Sequence, residues 1–154
     1  MTKNILIVYA SNSGSTFLVG EMIKNYLSKK YTVAMQTAAM TQPDDLEKYD
    51  IILLGSPSWH VLSRGDGFPQ ETMLAFMERC AGRSFPDKRF AAFGCGDSDY
   101  TLFCGAVFRL ETFIGKLQGQ KIMEPLKVDS YFFRPVEGDK QVEQWAGELM
   151  KKIS

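Results

Sequence analysis

At 154 residues, 45% hydrophobic and 23% charged, the chain has the length and balance of one water-soluble globular domain with a real core. Eighteen basic and 18 acidic residues cancel to a formal net charge of zero, which leaves no basic stripe for nucleic acid. No apolar run approaches transmembrane length, and three cysteines with one histidine, without a CxxC pair, argue against a disulfide framework and a zinc or haem site.

The chain opens on Ile5–Tyr9, an apolar run too short for a signal-peptide core, so a cytoplasmic location and no membrane association are expected. That run reads as a strand covered on both faces. Residues 16–29 follow as a helix with Val19, Met22, Ile23, Tyr26 and Leu27 on one face. Thr32–Thr37 and Ile51–Gly55 are the second and third strands. Pro69 suits the early part of a helix carrying Met73, Leu74, Phe76, Met77 and Cys80. Arg89–Gly94 is the fourth strand. Val107, Leu110, Ile114 and Leu117 mark the next helix, closed by Gly119. Lys121–Val128 is a fifth strand with a possible break at Pro125. A last helix shows Val142, Trp145, Ala146, Leu149, Met150 and Ile153 at helical spacing. Strands alternating with helices require crossovers, hence an α/β fold with a mostly parallel sheet and helices on both faces. Such a sheet binds ligands beyond the carboxyl ends of its strands, which directs attention to the loops after the first, third and fourth.

The first of these loops is Ser11-Asn12-Ser13-Gly14-Ser15-Thr16, directly before a helix. Small residues let successive N–H groups turn inward at a helix N-terminus, an arrangement that favours an anion, and the hydroxyls add donors. The loop has no lysine and matches neither GxxxxGK[ST] nor GxGxxG, so a terminal monophosphate fits better than a triphosphate or a dinucleotide. Helix capping by Ser or Asn is the plainer alternative, and these residues alone leave it open. The third strand ends in Gly55-Ser56-Pro57-Ser58-Trp59-His60, followed by a polar stretch to Phe68. The fourth ends in Gly94-Cys95-Gly96-Asp97-Ser98-Asp99-Tyr100. Each places an aromatic residue, Trp59 or Tyr100, past a strand end, where the pair could sandwich a planar heterocycle. Packing over the core edge is the alternative for either residue alone. Cys95 and Cys104 read as pocket-lining small hydrophobes.

Together the loops resemble those of the flavodoxin family, over essentially the whole chain. Ser11–Thr16 is similar to the family's [ST]-x-[ST]-G-x-T phosphate loop, and Gly55–Trp59 to its second flavin loop. Phe93–Tyr100, continuing through Phe103-Cys104-Gly105-Ala106-Val107, resembles its third loop, the most specific match of the three. The length resembles that of the short-chain subgroup. The resemblance implies a doubly wound five-stranded sheet of order 2-1-3-4-5, forming a single FMN-binding domain over residues 1–154. It implies FMN phosphate held at Ser11, Asn12, Ser13, Gly14, Ser15 and Thr16. It further implies the ring and ribityl chain held by Ser56, Pro57, Ser58, Trp59, His60, Cys95, Gly96, Asp97, Tyr100, Phe103 and Cys104, with Trp59 and Tyr100 on the two ring faces. The activity implied is low-potential electron carriage, one electron at a time, through quinone, semiquinone and hydroquinone FMN. A monomer is expected, with flavodoxin reductase or other electron donors and acceptors as partners.

Two residues depart from the family pattern. His60 stands where the family usually has glycine, which predicts a less stabilised one-electron-reduced state. Arg64 lies in the second flavin loop of a chain that is neutral where the family is acidic, which predicts weaker steering toward basic partners. Two other functions remain compatible with the sequence. One is an FMN-dependent quinone or nitro reductase of the same fold, and the other a dedicated activator of one redox enzyme.

Overall fold

The computed structural model describes residues 3–11, 14–61, 65–96, 104–129 and 135–154. Its parallel sheet is built from β1 (Asn4–Tyr9), β2 (Thr32–Thr37), β3 (Ile51–Gly55), β6 (Arg89–Gly96), β7 (Gln120–Lys121) and β8 (Leu126–Asp129). The order is β2-β1-β3-β6, with β7 and β8 both on the far side of β6. β7 pairs with Arg89 and Phe90, and β8 with Phe93–Gly96, so the two are halves of the expected fifth strand. The interruption covers residues 122–125 and includes Pro125, which has no N–H to give to the ladder. A separate antiparallel hairpin joins β4 (Ser58–Val61) to β5 (Gly65–Pro69). The helices are α1 (Ser15–Leu27), α2 (Glu71–Arg79), α3 (Gly105–Lys116) and α4 (Pro135–Ile153).

The period-two geometry of the strands sorts their apolar runs onto two faces. Leu6, Val8, Ile52, Leu54 and Ala92 pack with Phe76 of α2 and with Val107, Leu110 and Phe113 of α3. Ile5, Ile7, Leu53, Ala91 and Phe93 pack with Val19 and Ile23 of α1 and with Val142, Trp145 and Leu149 of α4. Burying both faces stabilises the sheet and fixes its register, because a one-residue slip would move every side chain to the wrong layer.

Three local expectations are corrected. Pro69 is the last residue of β5, opposite Ser58, and Gln70 caps α2 in its place. Proline is tolerated there because a two-stranded ribbon asks for few ladder donors. The polar stretch to Phe68 is the β4–β5 hairpin rather than an open loop. The left-handed residue ending α3 is Gln118 (φ 58°), one before Gly119. Gly119 N–H bonds to Ile114 O at 3.1 Å and Gln118 N–H to Gly115 O at 3.0 Å, the paired closure of a Schellman motif. Gly119 is needed for a different reason: a Cβ on it would lie 2.4 Å from the Phe90 ring.

Candidate functional site at the carboxyl ends of the strands

Two backbone hydrogen bonds bring the starts of the three loops together. Ala10 N–H donates to Gly55 O at 3.0 Å, and Ser56 N–H to Phe93 O at 3.3 Å. The ends of β1, β3 and β6 are therefore laced side by side.

Past β1, Ser11 Oγ accepts from Gly14 N–H at 3.0 Å and closes the turn. Gly14, at φ 94°, supplies the left-handed step that aims the chain into α1. No side chain caps this helix among the described residues, and its first turn holds no acidic residue. Its N–H groups and the positive end of its dipole are thus left for something else. The hydroxyl of Thr16 points the same way. It is fully buried, and among the described residues Oγ1 has only the Cys95 thiol beside it, outside normal hydrogen-bond geometry. Capping by a described side chain does not account for this loop. Asn12 and Ser13 lie outside the described residues.

Past β3, the buried Ser56 hydroxyl donates to Pro57 O at 2.9 Å and accepts from Gln70 N–H at 2.9 Å. It thereby ties the start of the hairpin to the residue that follows it. Gln70 Oε1 accepts in turn from Thr72 N–H at 2.7 Å and caps α2. Trp59 and His60 lie in β4, with Trp59 opposite Phe68. The stacking role of the Trp59 side chain and the disposition of the His60 ring fall outside the described residues, as does Arg64.

Past β6, Cys95 is buried with its thiol beside the hydroxyls of Ser15 and Thr16. Burial pushes this thiol up to about 11, and those hydroxyls pull it partly back. Cys104 is the N-cap of α3 in the left-handed region (φ 49°), and its Sγ lies 3.9 Å from Gly94 O. Burial, reinforced by Cys95 and Asp129 and opposed by Lys127, pushes Cys104 up to about 12. With their pKa values raised this far, both thiols are neutral at pH 7. Gly96 ends β6, while Asp97, Tyr100 and Phe103 lie outside the described residues.

The structure thus gathers Ser11, Gly14, Ser15, Thr16 and Cys95 at one point, and Ser56, Pro57 and Ser58 beside the start of α3. Sequence reasoning missed the contacts that bind the second group together. Ser58 Oγ accepts from Ala106 N–H at 3.0 Å, and the Arg109 guanidinium lies 3.6 Å above the Phe68 ring. The Gly67 residue comes so close to α3 that a Cβ on Gly105 would lie 2.7 Å from Gly67 O. The only signal for the last was a glycine at both positions.

These features define an open, doubly wound parallel α/β protein with an uncapped, anion-ready helix terminus at the carboxyl end of its first strand. The flavodoxin family model matches residues 7–145, and the chain belongs to that family. A flavodoxin of Nitratidesulfovibrio vulgaris is 31% identical, covering 97% of this chain and 99% of that one. A flavodoxin of Maridesulfovibrio salexigens is 32% identical over 99% of this chain and 100% of that one. Among solved structures, oxidised flavodoxin 2 from Bacillus cereus superposes with a TM-score of 0.87 at 30% identity, covering 97% of this chain and 99% of that one.

Proposed function

We propose that this chain binds FMN at the carboxyl ends of β1, β3 and β6 and carries electrons one at a time between redox partner proteins. Membership of the flavodoxin family supports the cofactor and the activity. The observation that carries the reading within this chain is the start of α1, which no described side chain caps and where the fully buried Thr16 hydroxyl has only the Cys95 thiol beside it. A thiol is a poor partner for a buried hydroxyl, and a phosphate oxygen would satisfy it better.

The donor set of the first loop fits a phosphate. Ser11–Thr16 would hold the phosphate through backbone N–H groups and hydroxyls, with no lysine in the loop. The loops after β3 and β6 would hold the ring and ribityl chain, with Ser56, Pro57, Ser58, Trp59 and His60 on one side. On the other side would stand Cys95, Gly96, Asp97, Tyr100, Phe103 and Cys104. Bound FMN supplies the redox chemistry. The protonated Cys95 and Cys104 exclude water from the pocket without adding charge. Uncharged, desolvated groups such as these thiols disfavour extra negative charge on anything they enclose, which favours a low potential.

The described residues whose pKa is shifted, the three thiols and Lys121, all move away from neutrality. A carrier rather than an enzyme is the reading that membership of the flavodoxin family supports. We further read residues 1–154 as a single domain working as a monomer in the cytoplasm. All four helices flank the one parallel sheet. The exposed large apolar side chains among the described residues, Leu18, Met40, Phe108 and Val136, sit on four different elements. No helix among those residues is long and apolar enough to cross a membrane.

Reduction of cytochrome c by NADPH, with a flavodoxin reductase and the FMN-loaded chain added separately and together, tests this reading. Rapid reduction only when both are present supports the carrier. Oxidation of NADPH by the loaded chain alone would support the quinone or nitro reductase instead.

A further inference from the structure

The β4–β5 hairpin is a sheet of its own beside the parallel sheet, and a two-stranded ribbon has little stability by itself. Among the described residues, the opening turns of α3 support it by three different kinds of contact. Ala106 N–H donates to Ser58 Oγ on β4. Gly105 leaves room for the Gly67 backbone on β5. Arg109, one turn further along, lays its guanidinium 3.6 Å above the centroid of the Phe68 ring. Phe68 in turn is the backbone partner of Trp59.

The first two contacts fix where the strands begin and how close they come to the helix. The third is the only one of them made by an α3 side chain, and it grips β5 at Phe68, directly opposite Trp59. A guanidinium stacked on an aromatic face is attracted by the ring quadrupole and covers apolar surface with its planar group, so lysine does not reproduce it. We propose that Arg109 is a positioning residue for the ring half of the FMN site, holding β5 against α3 through Phe68. It acts on the cofactor only through the hairpin. The proposal rests on the FMN reading above.

The test uses apoprotein titrated with FMN and with riboflavin, followed by quenching of flavin fluorescence. The variants are Arg109→Gln, Arg109→Lys, Phe68→Leu and the double Arg109→Gln/Phe68→Leu. Arg109→Gln is expected to weaken both flavins by the same factor, about fivefold, the size of one partly exposed cation–π contact. Arg109→Lys should fall between it and the unchanged chain. Inorganic phosphate should compete with FMN equally well in all of them, because the loop after β1 is untouched. The double variant should bind no worse than the weaker single, since both remove one contact.

A merely structural role would lower the unfolding midpoint and weaken FMN, riboflavin and phosphate together, which overturns the proposal. Unchanged flavin affinity in Arg109→Gln, or losses that add in the double variant, overturn it as well. An unaltered chain that binds neither flavin would refute the FMN reading itself, an outcome plainly distinct from the others.

Discussion

The hydrogen bond from Ala106 N–H to Ser58 Oγ, at 3.0 Å, makes the first turn of α3 and the first residue of β4 one unit. This bond therefore couples the start of α3 to the hairpin after β3. Replacing Ser58 with alanine removes the acceptor and leaves a helix N-terminal donor without its partner. The expected cost is about 1 kcal/mol of stability, read from urea unfolding of the apoprotein. An unchanged midpoint in Ser58→Ala would show that water replaces the hydroxyl at no cost.

Thr16 should matter differently in the two states of the protein. Thr16→Val keeps the shape and removes a buried hydroxyl whose described neighbour is only the weakly bonding Cys95 thiol, so the apoprotein should lose little or no stability. FMN should bind more weakly by about 2 kcal/mol, the scale of a hydrogen bond to a charged group, while riboflavin binding stays unchanged. Parallel titrations with the two flavins separate these effects. Equal weakening of both would place the Thr16 hydroxyl away from the phosphate.

Alkaline pH should unfold the protein through its thiols. Cys80 and Cys95 are pushed by burial from an ordinary 9.0 up to about 11, and Cys104 up to about 12. A raised pKa means that the folded state keeps a proton the unfolded state has lost. This contribution to stability is full below about pH 9 and is lost as the pH rises through 11 and toward 12. Unfolding midpoints measured from pH 8 to 11 in roughly half-unit steps should therefore fall above pH 9. Flat stability across that window would mean that the thiols are not desolvated.

Gln118 offers a gain. It holds a left-handed conformation (φ 58°) that costs a residue with a Cβ about 1 kcal/mol more than glycine. Gln118→Gly should raise the thermal midpoint. Its one described side-chain contact, from Ser84 Oγ at 2.6 Å, is exposed and offers little in return.

The sheet was legible in the sequence because strands buried on both faces appear as unbroken apolar runs, as Ile5–Tyr9 and Ile51–Gly55 do. The loop after β1 was legible by position, directly between the first such run and a helix. The hairpin was not. Gly65-Asp66-Gly67 carries no alternation, and Phe68 is the one apolar residue near its end. Gln118 was missed because Gly119 beside it is the default left-handed residue, and the close approach of Phe90 is a tertiary fact. Arg109 was invisible for a simpler reason: an arginine on the outer face of a helix reads as solvated until the ring beneath it is known.

The visible absorption spectrum of the freshly purified protein, with the flavin content per chain, tests the central claim most directly. Flavin bands and about one FMN per chain, removable and restored by added FMN, are expected. A colourless protein that takes up no added FMN would contradict the claim, and would leave the helix terminus at Thr16 without the anion its geometry fits.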